Sequence, residues 1–87
     1  MMLYSIKEVI KRGNRVRSSL YRDVQCGLMV SPVKLGTRAV GLPAHEVDQL
    51  LTARACGAND EQVKALVTRL MAERAERLKT ILGGAAA

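Results

Sequence analysis

The sequence predicts a mainly α-helical domain with one small β-hairpin, arranged as a winged helix-turn-helix with an added C-terminal helix. Three observations lead there. Two short amphipathic segments meet at Gly13-Asn14, the pattern of two helices joined by a tight turn. Two β-prone runs then flank Gly36-Thr37-Arg38, a hairpin signal. The net charge of +6 lies wholly in residues 1–42, which hold eight Lys/Arg and two acids, while basic and acidic residues balance in 43–87. A one-sided cationic excess is the footprint of a phosphate-binding face.

Each element follows from local chemistry. Ser5 and Glu8 have capping-box spacing, and Ile6, Val9 and Ile10 supply an apolar face for a helix to about Arg12. Gly13 and Asn14 both tolerate positive φ and end it. A second helix runs from Val16 or Arg17 to Cys26, with Gly27 as its stop. Its Leu20 and Val24 face inward; Ser18, Tyr21, Arg22 and Gln25 form the opposite stripe. Residues 28–32 read as a connector, and 33–35 and 39–42 as the hairpin strands. Pro43 suits the entry of a third helix, with Glu46 near its positive end and Val47, Leu50 and Leu51 as its apolar face to Cys56. After Gly57, Asn59 and Gln62 form a second capping box. The fourth helix runs to Leu82 on a stripe of Val63, Leu66, Val67, Leu70 and Met71, then Leu78, Ile81 and Leu82. Arg74 interrupts that stripe, so burial is expected to weaken beyond it. Asp60/Lys64 and Glu73/Arg77 have ion-pair spacing on the exposed side. The resulting division is a DNA-binding domain over 3–56, an amphipathic helix over 57–82 and a disordered tail over 83–87.

Composition narrows the function classes. With 87 residues, no Phe or Trp and two Tyr, the core is aliphatic and small, and a dimer or partner would add stability. No apolar run approaches the roughly 20 residues that span a bilayer. The N-terminus is not a signal peptide, so a cytoplasmic, nucleoid-associated protein without membrane contact is expected. Cys26 and Cys56 form no CxxC pair, and His45 is the one histidine, so a metal site lacks ligands. The thiols are expected to be reduced and semi-buried, and His45 to lie on a helix surface. No catalytic constellation, phosphate loop or cofactor motif stands out, which argues against an enzyme.

The basic half supplies groups suited to double-stranded DNA. Arg15, Lys34 and Arg38 are candidates for phosphate contacts. With about five such contacts, log K falls against log salt with a slope near −4 to −5. Arg17 can fork onto a guanine edge, and Ser18 and Gln25 are adaptable donors or acceptors. Tyr21 can give its hydroxyl to phosphate and its ring to sugar or a thymine methyl. Arg38, with Thr37 beside it at the hairpin tip, can enter a narrow minor groove. Each residue also has a plainer reading. Cations on small helices are often a solvated face, Tyr21 can shield the core edge, and Gly36-Thr37-Arg38 can be an ordinary turn.

Lys7-Glu8-Val9, Arg17-Ser18-Ser19-Leu20-Tyr21-Arg22, Pro32-Val33-Lys34-Leu35-Gly36, Arg38-Ala39-Val40-Gly41 and Glu46-Val47 together resemble the AlpA-like regulators of phages and mobile elements. These are relatives of the excisionases with a MerR-like winged-helix fold, and the likeness spans residues 3–56. The resemblance implies a second helix in the major groove and a wing against the adjacent groove. Family contacts carry over onto Arg17, Ser18, Ser19, Tyr21 and Arg22 of the helix and Lys34 and Arg38 of the wing. Val16 stands where the family has a small polar N-cap.

The implied role is an excisionase or recombination directionality factor. It would self-associate on repeated sites and bend attachment-site DNA for a tyrosine-type integrase. Transcriptional control at a mobile-element promoter is the alternative on the same fold. An adaptor that works through the C-terminal helix is a third.

Overall fold

The computed structural model describes residues 2–83. The chain forms β1 (Leu3–Ser5), α1 (Ile6–Gly13), α2 (Arg17–Cys26), β2 (Val33–Lys34), β3 (Val40–Pro43), α3 (Ala44–Ala55) and α4 (Asp60–Gly83). The architecture is mainly helical with a small antiparallel sheet of order β1-β3-β2. The hairpin register pairs Val33 with Gly41 and Lys34 with Val40. The amide of Leu35 donates to the Ala39 carbonyl at 2.8 Å and closes the loop.

Strand β1 has no counterpart in the sequence reading. Three residues are too few to show alternation. It exists because the free edge of β3 offers Gly41, Leu42 and Pro43 as partners for Ser5, Tyr4 and Leu3. Gly41 suits this close pairing: a Cβ there would stand 3.2 Å from the Tyr4 carbonyl oxygen, tighter than ordinary contact. Tyr4 is buried by this pairing, and its hydroxyl donates to the Asp48 carboxylate of α3 at 3.1 Å. The Arg12 guanidinium lies 4.3 Å from its ring centroid.

Burial, and next the bond to Asp48, hold the Tyr4 phenol above its ordinary pKa. The folded state therefore keeps this proton more tightly than the unfolded chain. Its contribution is fully present below about pH 10 and is lost as pH rises through the raised value. We expect the stability difference between wild type and Tyr4→Phe, followed by urea melts at pH 8 and pH 11, to shrink at the higher pH.

The helix boundaries agree with the predicted spacing. Asn14 takes the left-handed conformation (φ 52°) that turns α1 into α2. The amide of Glu8 donates to Ser5 Oγ at 3.1 Å, but the Glu8 carboxylate turns to Arg12 (2.9 Å) instead of reaching back. The second capping box is complete, with both Asn59/Gln62 bonds at 2.9 Å. Pro43 ends β3 and stands at the N-cap of α3. Asp60 binds Arg54 at 2.7 Å instead of Lys64, and no ion pair joins Glu73 to Arg77 among the described residues. Gly83 closes α4 and is not part of a disordered tail; residues 84–87 lie outside the described residues.

One aliphatic core joins every layer. Leu42, Val47, Leu50, Val63 and Leu70 are each at most 2% exposed. The segment between α2 and β2 is more than a linker, since Met29 and Val30 are core residues. The first half of α4 belongs to the same core through Val63, Val67 and Leu70. Beyond it, Arg74 reaches inward. Its guanidinium binds Glu46 of α3 (Nη2–Oε1 2.5 Å, Nε–Oε2 3.3 Å) and donates to the Ser31 carbonyl at 2.9 Å. Glu46 stands in the first turn of α3, as the sequence predicts, and at 2% exposure it is also a buried ion-pair partner.

Candidate nucleic-acid interface

Helix α2 divides into two faces. Leu20 is buried, Val24 packs against the core, and Asp23 lies on the same side at 7% exposure. Arg17, Ser18, Tyr21, Arg22 and Gln25 are all solvent-exposed. Ser19 is half-buried and is the least available of the helix candidates. Tyr21, at 43% exposure, does not seal the core edge. Val16 occupies the N-cap without a side-chain hydrogen bond, and Gly27 (φ 79°) ends the helix in the left-handed conformation. The hairpin candidates Lys34, Thr37 and Arg38 are exposed as well.

Arg15 is a correction. It was expected to be free for phosphate, yet its guanidinium is bound to the Asp23 carboxylate. A buried acid on α2 needs a cation, and the residue just past the α1–α2 turn is within reach. Arg15 thus fixes α2 against α1. We expect Arg15→Ala to lower stability by on the order of 1–3 kcal/mol in chemical denaturation, toward the lower end because Arg15 is 45% exposed. A variant that kept full stability and lost only DNA affinity would restore the phosphate role.

The ion pairs sharpen the charge distribution. In residues 1–42, Glu8 is taken by Arg12 and Asp23 by Arg15. The remaining cations, Lys7, Lys11, Arg17, Arg22, Lys34 and Arg38, have no acidic partner among the described residues, and their number equals the +6 of that half. Lys7 and Lys11, one turn apart on α1, were not among the sequence candidates. The signal that could have found them is the i,i+4 pair of lysines outside the apolar face.

Comparison with protein-family models, curated proteins and solved structures finds no match to this chain. Among the described residues no group of three or more His, Cys, Asp or Glu stands where it could hold a metal ion. Cys26 and Cys56 are free and exposed, not semi-buried: each lies at the end of a helix, where the apolar stripe has already run out. His45 is exposed, 3.9 Å from Glu46. No described helix is long and apolar enough to cross a membrane.

Proposed function

We propose that the chain is a sequence-specific binder of double-stranded DNA with a winged helix-turn-helix, using the exposed face of α2 and the β2–β3 hairpin. The observation that carries this reading is the set of six cations without an acidic partner among the described residues, in a half-chain whose two acids are both neutralised internally. A solvated surface needs no such segregation of charge, whereas a phosphate lattice does. The α2 face supports base reading. Arg17 offers a bidentate fork, Ser18 and Gln25 short polar groups, and Tyr21 an exposed ring and hydroxyl. Lys34 and Arg38 on the hairpin supply backbone and groove contacts.

On this reading the biological role is an excisionase or recombination directionality factor of a mobile element, bending an attachment site for a tyrosine-type integrase. Bending 20–30 base pairs costs on the order of 1–6 kcal/mol, which several phosphate contacts per copy and several copies per site can offset. Control of a mobile-element promoter is the second reading.

Two substitutions test the division of labour. Arg17→Ala should reduce preference for the specific site by about 1–3 kcal/mol. Lys34→Ala should weaken specific and random DNA alike and make the salt slope shallower by about one unit. Identical behaviour of the two variants on both DNAs would refute the assignment. DNA bending is read by circular permutation: specific binding with no change in mobility across the permuted set argues against the architectural role.

A further inference from the structure

The helices enclose a cavity of about 50 Å³ beneath α2. Its walls are aliphatic: Val9 of α1, Leu20 of α2, Met29 of the connector, Leu50 of α3 and Val63 of α4. Three charged side chains also line it, Arg15, Asp23 and Arg54. The two arginines are half-exposed and mark the side that faces solvent. Arg15 is bound to Asp23, and Arg54 to Asp60 at 2.7 Å, so each charge beside the cavity is already matched. One polar atom is left over. Asp23 is buried, and Arg15 engages it through Oδ2. Its Oδ1 accepts no hydrogen bond among the described residues. No buried side-chain oxygen or nitrogen among those residues is both sealed and unpartnered, so Oδ1 borders open space, and the open space that Asp23 lines is this cavity. A carboxylate oxygen held there is a strong acceptor that gains from any donor brought to it.

We infer that this cavity is a binding site for a small neutral molecule with an apolar body and one hydrogen-bond donor, the chemistry of a short-chain alcohol. The aliphatic walls take the body, and the donor reaches Asp23 Oδ1. Neutrality follows from the ion pairs: a charged guest would bring an uncompensated charge into a space whose own charges are matched. Size follows from the volume. One water-sized group takes roughly 10–15 Å³ of such space, so the guest has about three to five heavy atoms. Val9, Leu20 and Leu50 stand on three different helices, so an occupant touches α1, α2 and α3 at once and stabilises their packing by mass action.

The inference goes beyond DNA binding and does not rest on it, because it is tested without nucleic acid. Methyl-detected NMR of the full chain follows titration with 1-propanol and with its isomer ethyl methyl ether, which has the same heavy atoms but no donor. With 1-propanol the Leu20, Leu50 and Val63 methyl signals should move along a saturating curve, with a dissociation constant on the order of millimolar. The exposed Ile81 and Leu82 methyls should drift linearly without saturating. The ether should bind at least about tenfold more weakly, since it cannot donate to Asp23. Val63→Ile adds one methyl group to the cavity wall and should abolish the saturable shifts while keeping a cooperative thermal transition. Core signals that never saturate, or a folded Val63→Ile chain that binds 1-propanol like wild type, overturn the site. Ether binding within about threefold of the alcohol overturns Asp23 as the acceptor. The isomer comparison uses the wild-type chain and decides the matter even if Val63→Ile does not fold.

Discussion

Arg74→Met is expected to lower folding stability by about 3–5 kcal/mol, toward the lower end because Arg74 keeps 22% of its side-chain exposure. The Glu46 side chain is 3% exposed, and Arg74 is the cation bound to it within hydrogen-bonding distance. Removing the guanidinium leaves a buried carboxylate with only His45, 3.9 Å away, beside it, and also frees the Ser31 carbonyl. The single change therefore loosens α3, α4 and the α2–β2 segment together. Replacing both members, Glu46→Met with Arg74→Met, should recover most of the loss, since two apolar groups of similar volume need no compensation. Urea unfolding of the two variants checks this. A single variant that loses less than about 1 kcal/mol would show that the buried pair contributes little.

A chain ended before Asn59 is expected not to fold. The truncation removes Val63 and Leu70, each 1% exposed, and Val67 at 7%. Three fully buried aliphatic side chains contribute about 1.5–3 kcal/mol each, a sum comparable with the whole stability of a domain this small. It also strips Glu46 of Arg74. Loss of the cooperative thermal transition and of most helical signal is the expected readout. A residue 1–58 fragment that melts cooperatively would show that α4 is an appendage. A fragment that fails to bind DNA would then report unfolding, not a missing contact surface.

Much of this fold is legible in the sequence because its signals are local. Gly13-Asn14, Gly27, Gly57 and the Asn59/Gln62 box are short-range devices, and they set the helix ends. The hairpin turn reads equally well from Gly36-Thr37-Arg38. What escaped depends on partners distant along the chain. Strand β1 is defined by β3, some forty residues later. Glu46 is legible as a helix-entry acid, but its pairing with Arg74, 28 residues on, is not. Arg15 looks free until the α1–α2 turn folds it onto Asp23. In the candidate interface, the exposed residues of α2 follow from the wheel, because Leu20 and Val24 fix the inward face. Which cations are already neutralised does not follow, because ion pairing depends on packing between elements.

The most direct test of the central claim is the salt dependence of binding to double-stranded DNA, measured by fluorescence anisotropy. A cationic surface on α2 and the hairpin predicts a straight line of log K against log salt with a slope of about −4 to −5. Arg17→Gln/Arg22→Gln/Lys34→Gln/Arg38→Gln should bind more weakly, with a slope shallower by about one unit for each phosphate contact removed. Affinity indifferent to salt, or a quadruple variant that binds as tightly and as steeply as wild type, would contradict the claim that these cations form the DNA-binding surface.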